Sequence, residues 1–417
     1  MVLIDYIEAR QILNSRGEPT IETTVHLTSG ETVSASAPNG ASRSSHEAIE
    51  LVDKDFSVYF GKSVNHAVSN INETIAPRLK KLDPLEQHRI DQILIELDGT
   101  PNKAHLGGNA TLSVSMAVAK AAAVIQQKPL YEHINHLLVQ TQASNKYEED
   151  IRLSDQQTKP KLPIPGFTMF DGGKIADSTI PIEEYLIFPV SIPKMSEKVR
   201  AAAEINNVLR EVLHEKDKIA NIGDTGGYAS SFDDVFEPLD LIVEAVKRTN
   251  YNVHNQILYG FDIASTHMSS KLPDDFIDKA LTRYPIVCII DPFDEEDWDN
   301  FNILNNAYPN IFVAGDDLTA TSLERLYKAI DTDAIDSVVV KPNQIGTVTE
   351  TLQFVKVAKD AGIELVISDR SGETTDTFVV DLAVAVGAQF MKTGNVMRGE
   401  RVIKYNHLMK IAEKFEG

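Results

Sequence analysis

The sequence predicts an α/β protein in which an eight-stranded, TIM-like α/β barrel follows a smaller N-terminal α+β domain. Its 417 residues exceed what one ordinary hydrophobic core serves, and a barrel of about 250 residues behind a domain of about 100–150 accounts for that length. From residue 257 onward, short apolar segments end on polar residues at intervals of 22 to 29 residues, as successive strand-helix units do. The predicted strand-end residues are Asp262, Asp291, Asp316, Lys341, Arg370 and Lys392.

The N-terminal domain is predicted to contain a small antiparallel sheet followed by helices. Segments 4–13 and 20–27 are rich in β-branched residues, a turn-forming segment at 14–19 separates them, and a third strand is expected at 32–37. Apolar residues then recur at the three-to-four spacing of helices. The four predicted helical segments are 66–80, 85–97, 109–126 and 129–141.

The domain boundary is predicted where the chain becomes polar and charged. Residues 141–162 have this composition, which is typical of an exposed linker. We therefore expect an N-terminal domain at 1–140 and a barrel at 163–417.

Composition excludes several classes of function. A net charge of −21 disfavours nucleic-acid binding, which needs clustered lysine and arginine. The single cysteine, Cys288, lies in an apolar run and predicts a buried strand residue in a reducing compartment. No basic N-terminal region followed by a long apolar stretch is present, and no run of about 18 apolar residues. A cytoplasmic protein without a membrane span is expected.

The strand ends predict chemistry, because the C-terminal ends of barrel strands meet on one face. Asp262 and Asp316 could hold Mg²⁺, which prefers oxygen ligands, although aspartates there also begin loops and cap helices. Lys341 and Lys392, if close together, would lower each other's pKa and favour a basic amine; alternatively, each reaches solvent. Arg370 begins a segment that could bind phosphate or carboxylate, or form an ordinary capping turn.

Several motifs in order along the chain resemble the enolase (phosphopyruvate hydratase) family over nearly its whole length. They are Asn14-Ser15-Arg16-Gly17, Gly40-Ala41-Ser42, His46-Glu47-Ala48, Leu97-Asp98-Gly99-Thr100, Asp291-Pro292-Phe293, Asp316-Asp317-Leu318-Thr319, Lys341 with Asn343-Gln344-Ile345-Gly346-Thr347, Arg370-Ser371-Gly372-Glu373-Thr374, and Lys392-Thr393-Gly394. The resemblance implies an enolase-type barrel, a Mg²⁺ cofactor and the glycolytic dehydration of 2-phosphoglycerate to phosphoenolpyruvate. It also implies a homodimer or larger homo-oligomer.

The resemblance implies a role for each matching residue. Lys341 would be the base that removes the proton next to the substrate carboxylate, and Lys392 would contact that carboxylate. Glu184 matches a glutamate near the substrate hydroxyl. The remaining matches are the phosphate-binding pair Arg370 and Ser371 and the metal ligands Asp262, Asp316 and Ser42.

Five polar positions of the family pattern hold other residues here. Ile290 stands where a third metal-binding glutamate is expected, and Thr225 stands where the dehydrating acid is expected. Ile175 and Asp369 replace histidines, and Glu183 replaces a glutamine. Threonine cannot supply a carboxylic proton, so the pattern predicts lost or strongly reduced dehydratase activity with a retained site for phosphate or a small phosphorylated acid.

The alternative is an active enolase-type lyase with a rearranged site, acting on 2-phosphoglycerate or another phosphorylated or carboxylic acid. Asp369, Asp291 or Glu183 would then take over a missing role. Side chains alternate along a strand, so Asp291 is predicted to face away from the position that Ile290 occupies. A weakened Mg²⁺ site is expected.

Overall fold

The computed structural model describes residues 1–141 and 159–417, so most of the predicted linker lies outside the described residues. The chain begins with a three-stranded antiparallel sheet in the order β1-β2-β3. Its strands are β1 (Ile4–Leu13), β2 (Pro19–Leu27) and β3 (Thr32–Ser36). The predicted strands and the turn between the first two are confirmed.

Helices cover one face of this sheet. Helix Gly108–Ile125 packs on β2 and β3, and its small side chains permit a close approach, as in the 2.7 Å contact between Thr23 Oγ1 and Ser113 Oγ. Its length and composition would suit a membrane span, but 83% of it is buried inside the protein. The other helical segments are Tyr59–Gly61, Asn65–Ser69, Asn70–Ile75, Ala76–Leu79, Gln87–Asp98 and Leu130–Gln140.

Eight strands close into a barrel in the order β4 to β11. They are β4 (Ile164–Asp171), β5 (Glu184–Pro189), β6 (Ile257–Asp262), β7 (Ile286–Ile290), β8 (Phe312–Gly315), β9 (Ser337–Val340), β10 (Glu364–Ser368) and β11 (Phe390–Lys392). The six strands predicted from the apolar segments are all present. Apolar side chains, including Phe188, Cys288 and Phe390, fill the interior, so the barrel is a packed core.

Strand β5 runs antiparallel to both of its neighbours, whereas the other barrel pairs are parallel. The barrel therefore departs at this strand from the all-parallel arrangement of an ordinary TIM barrel. Because β5 is reversed, its first residue, Glu184, lies at the same end as the last residues of its neighbours. It pairs with Asp171 on β4 and with Asp262 on β6.

Helices surround the barrel on the outside. The side chain of Asp297 caps helix Trp298–Ala307 by accepting a hydrogen bond from the backbone N–H of Asn300. The other helical segments of this domain are Gly173–Ile175, Met195–Glu215, Glu237–Lys247, Ser265–His267, Phe276–Arg283, Leu323–Asp331, Pro342–Ile345, Val348–Asp360, Phe378–Ala385 and Gly399–Glu416.

A loop of the N-terminal domain, residues 37–50, lies against the barrel mouth. His46 Nε2 lies 2.7 Å from the Arg325 guanidinium, which is held by Glu296 and stacks on the ring of Trp298, the only tryptophan of the chain. The loop is thus tied to the barrel by polar contacts.

Candidate active site

The barrel mouth forms one small cavity, and of the predicted site residues only Ile290 does not line it. The cavity leaves about 30 Å³ of room for the centres of water-sized molecules, which is space for about two waters. The predicted residues on its wall are Ser42, Ile175, Glu183, Glu184, Thr225, Asp262, Asp316, Lys341, Asp369, Arg370, Ser371 and Lys392. A phosphorylated acid can therefore enter only if side chains move.

Both lysines at the mouth are paired with carboxylates. The Lys392 ammonium donates a hydrogen bond to Glu184 and lies 3.0 Å from Asp262 Oδ2. Lys341 donates to Asp316 Oδ2. The carboxylates expected to hold a metal are thus joined to the lysines expected to meet the substrate.

These pairs determine the protonation of the lysines. Burial lowers the pKa of Lys341, but attraction by Asp316 outweighs it and the net shift is upward. Burial also opposes the charge on Lys392, yet Glu184 and Asp262 raise the pKa of this lysine well above its usual range. The expectation that the two amines lower each other's pKa to a useful value is wrong for this arrangement. Both lysines carry a proton at neutral pH.

Carboxylates outnumber cations on the cavity wall, with seven acidic and three basic side chains. Burial, followed by repulsion from Asp262 and Glu184, raises the pKa of Glu183 to about 7. Burial raises the pKa of Asp262 to about 6, against the attraction of Lys392. The cavity therefore favours a ligand that brings a proton or a positive charge with it.

Ile290 points into the barrel interior. It is fully buried in the apolar cluster that fills the barrel, in register with Asp262 on the neighbouring strand. The position that the resemblance assigns to a third metal carboxylate therefore holds a hydrocarbon side chain.

Asp291 follows the end of β7 and lines the cavity, apart from the place in the barrel interior that Ile290 occupies. The strand ends at Ile290, and Asp291 has a φ of +44°, so the alternation does not extend to it. Its two oxygens accept hydrogen bonds from the backbone N–H groups of Asp316, at 2.9 Å, and Asp317, at 2.6 Å. Asp291 thus fixes the turn that follows β8.

The loop at residues 223–227 wraps around Asp171, the last residue of β4. The backbone N–H of Thr225 donates to Asp171 Oδ2 at 2.9 Å, and the Thr225 hydroxyl donates to Oδ1. A Cβ added at Gly223 or Gly227 would come within 2.5 or 2.7 Å of the Asp171 carboxylate, so both positions need glycine. The loop is thus built around this carboxylate.

Asp171 was missed in the sequence analysis. It is fully buried, and burial together with repulsion from Glu184 raises its pKa to about 7. A sequence signal does exist, because Asp171 ends an apolar strand as Asp262 does.

Residues of the N-terminal domain bind the Arg370 guanidinium. Arg370 lines the mouth, but its NH1 lies 3.0 Å from Glu47 Oε2 and its NH2 donates to the Ser42 carbonyl at 2.9 Å. The hydroxyl of Ser371 accepts a hydrogen bond from the Ala41 N–H at 2.8 Å. A bound anion must therefore compete with Glu47, which lies in a quoted motif but was not predicted as a site residue.

Three other predicted positions are already hydrogen-bonded or ion-paired. The Ser42 hydroxyl donates to Glu183 Oε1 at 2.9 Å, so this expected metal ligand contacts one of the substituted positions instead. Asp369 forms an ion pair with the fully buried Arg401.

A histidine does lie near the mouth, but it is His267 and not a residue at position 175, where the family pattern has a histidine. His267 Nε2 lies 3.1 Å from Asp317 Oδ2, and this contact raises the pKa of His267. Lys174 Nζ lies 3.1 Å from the other ring nitrogen. His267 was also missed, because it ends the short helical segment after β6 and no motif marks it.

The side chains at the mouth do not fit a ready Mg²⁺ site. Asp262 and Asp316 are each paired with a lysine, and Ile290 provides no oxygen. Within residues 1–141 and 159–417, no group of three or more His, Cys, Asp or Glu side chains is arranged to hold a metal ion. Mg²⁺ requires oxygen ligands in near-octahedral geometry, so we derive no chemical step through a bound metal.

Two family models cover nearly the whole chain. One, described as the enolase N-terminal domain, matches residues 4–134. The other, described as the enolase C-terminal TIM barrel domain, matches residues 159–276 and 266–417. The chain belongs to the enolase superfamily. This confirms the resemblance and supports a lyase-type function for this member of the superfamily.

Proposed function

We propose that this enolase-superfamily protein binds phosphate or a small phosphorylated acid in the barrel mouth and dehydrates 2-phosphoglycerate far more slowly than an ordinary enolase. One observation carries the proposal. The two lysines, Arg370 and Ser371 line the same cavity as Thr225, which replaces the family's acid.

Lys341 would act as the base, and its protonation makes that step slow. In this proposal Lys392 contacts the substrate carboxylate, Arg370 and Ser371 bind the phosphate, and Glu184 lies near the hydroxyl that leaves. An ammonium group cannot accept a proton. Because Asp316 raises the pKa of Lys341, the substrate must first separate the pair and Lys341 must then release its proton.

The missing carboxylates slow the reaction further. A positioned acid is worth about 10²–10⁴ in rate, and loss of a metal ligand weakens a metal by at least the roughly 10–100-fold seen for outer-shell partners. Such losses do not simply add. A combined deficit of about 10⁴ is consistent with both ranges.

Binding of an anion should be linked to binding of a cation. The wall carries more carboxylates than cations, so a phosphorylated acid adds negative charge where it is already in excess. We expect Mg²⁺ to bind weakly, and each of the two ligands to increase the affinity for the other, because such coupling is reciprocal.

A working lyase with a rearranged site is the second candidate. Glu183, Asp291 and Asp317 supply carboxylates on the wall beyond the two retained metal aspartates. These side chains would have to exchange their present hydrogen bonds for a ligand. Another phosphorylated or carboxylic acid is then the substrate.

Two expectations from the sequence complete the proposal. The acidic composition and the single buried cysteine favour a cytoplasmic protein. The enolase resemblance favours a homodimer or larger homo-oligomer.

The test combines turnover and binding. Phosphoenolpyruvate formation is followed in a coupled assay with millimolar Mg²⁺, and we expect a rate about 10⁴ below the range of roughly 1–10³ s⁻¹ of typical enzymes. Calorimetry should detect saturable phosphate binding that is lost in Arg370→Met and kept in Arg89→Met, where the arginine is exposed. A rate above about 1 s⁻¹ would favour the working lyase, and absence of binding would contradict the proposed anion site.

A further inference from the structure

We infer that Thr225 gives a proton to the leaving hydroxyl and draws it from Asp171, so that the two residues together replace the missing acid. The inference rests on the proposed function. It identifies the source of the proton for the slow dehydration, a buried carboxyl group behind the cavity wall. Thr225 would touch the substrate, and Asp171 is a positioning residue that acts through it.

The hydrogen bonds fix which oxygen of Asp171 can carry the proton. The Thr225 N–H donates to Oδ2, and the Thr225 hydroxyl donates to Oδ1. When Asp171 gains a proton, Oδ1 becomes the donor and Thr225 Oγ1 the acceptor. The hydroxyl hydrogen of Thr225 is then free to point into the cavity that Thr225 lines.

The surroundings of Asp171 favour a proton at neutral pH. Asp171 is fully buried, and the nearest charges are Glu184 on β5, which is paired with Lys392, and Arg401 on the C-terminal helix, which is paired with Asp369. Lys392 and Arg401 are thus already paired with other carboxylates, and this limits how far they stabilise the charged form of Asp171. Burial raises the pKa of Asp171 to about 7.

The proposed step is balanced in atoms and charge. The carbon–oxygen bond of the substrate breaks, and the departing hydroxide takes the Thr225 proton and leaves as water. Thr225 Oγ1 takes the proton of Asp171, which remains as a carboxylate. Asp171 regains a proton from solvent before the next turnover, and no oxidant or reductant is needed.

A purely structural role for Asp171 makes a different prediction. If its carboxylate only anchors loop 223–227, Asp171→Asn lowers activity equally at every pH. If it supplies a proton, the ratio of wild-type turnover to Asp171→Asn turnover falls about tenfold per pH unit above a pKa of about 7. The ratio is the relevant quantity because both proteins depend in the same way on the loss of a proton from Lys341.

The experiment measures two partial reactions of the full-length protein with 2-phosphoglycerate. Exchange of the proton next to the carboxylate with deuterium from solvent reports Lys341, and phosphoenolpyruvate formation reports the complete reaction. We expect Asp171→Asn and Thr225→Val to keep the exchange and to lose turnover by about 10² at pH 6.5. Thr225→Ser, which keeps the hydroxyl, should stay within about threefold of wild type.

Asp224→Asn is the matched control. Asp224 is a carboxylate on the same loop, but it faces Arg16 and not the Thr225 hydroxyl. Its variant should keep the wild-type pH profile. Infrared difference spectra between wild type and Asp171→Asn at pH 6 should contain a protonated carboxyl band, whatever the turnover.

The outcomes separate the inference from the proposed function. Retained exchange with a ratio of wild-type to Asp171→Asn turnover that does not change with pH overturns the inference alone, as does absence of the carboxyl band. Absence of both exchange and phosphate binding in the wild type overturns the proposed function and the inference with it.

Discussion

Replacing Ile290 with glutamate tests the reason for the expected weak metal site. Ile290 is fully buried beside Asp262, so glutamate would restore a third carboxylate next to the two retained aspartates. We expect the affinity for Mn²⁺ to rise at least about tenfold, the lower end of what metal-supporting groups contribute. Glutamine has the shape of glutamate without its charge, so the affinity of Ile290→Gln for Mn²⁺ should rise much less.

The same substitution should reduce stability in the absence of metal. Removing the buried Ile290 side chain from the apolar cluster costs about 1.5–3 kcal/mol, before any charge is buried. A metal at 100 times its dissociation constant returns about 2.7 kcal/mol. Saturating Mn²⁺ should therefore bring the midpoint of urea unfolding of Ile290→Glu close to that of the wild type.

Titration with Mn²⁺, followed by paramagnetic relaxation of water protons, measures the affinities. Micromolar binding by the unaltered protein would mean that other side chains, such as Asp291 or Asp317, already complete the site. No gain in Ile290→Glu would mean that Lys392 keeps Asp262 from the metal. Either result would refute the argument that Ile290 is the cause of weak binding.

Three further predictions concern stability and reactivity. Arg370→Met should lower the free energy of unfolding by about 3–5 kcal/mol, because it leaves Glu47 buried without its partner; adding Glu47→Gln should recover part of the loss in urea unfolding. The pKa of Asp171 is raised on folding, so this carboxyl group should make stability fall as pH rises from about 4 to about 7, by up to about 1.4 kcal/mol per pH unit; the slope measured for Asp171→Asn should be smaller than that of the wild type by this amount, because Glu183 and Asp262 remain. Cys288 is fully buried and its pKa is raised, so a thiol reagent should react with it only in denaturant; rapid reaction of the folded protein would contradict this.

The fold could be predicted because its strands carry a strong local signal. Six apolar segments with polar ends gave six barrel strands, since a buried strand needs apolar residues on both faces. The direction of β5 could not be predicted in this way. Apolar spacing is the same for a strand and its reverse, and the pairing partners that decide direction are remote in sequence.

The site could be predicted only where motifs or strand ends marked it. Lys341 and Lys392 were found at strand ends, but their ion pairs depend on three-dimensional distances that no spacing reveals. Asp291 was expected at a strand end, but its left-handed backbone and its hydrogen bonds to the turn after β8 could not be predicted from the sequence. Asp171 ends a strand and Glu47 lies in a motif, but both were missed because their contacts with Thr225 and Arg370 are not visible in the sequence.

The position of Trp298 gives this protein an optical probe of its own. The indole ring lies 5.0 Å from the Arg325 guanidinium, which contacts His46 on the loop over the mouth. A charge close to an indole ring alters its fluorescence, and the chain has no other tryptophan. The emission spectrum of the unlabelled protein should therefore report whether that loop rests on the barrel, in real time and without any substitution.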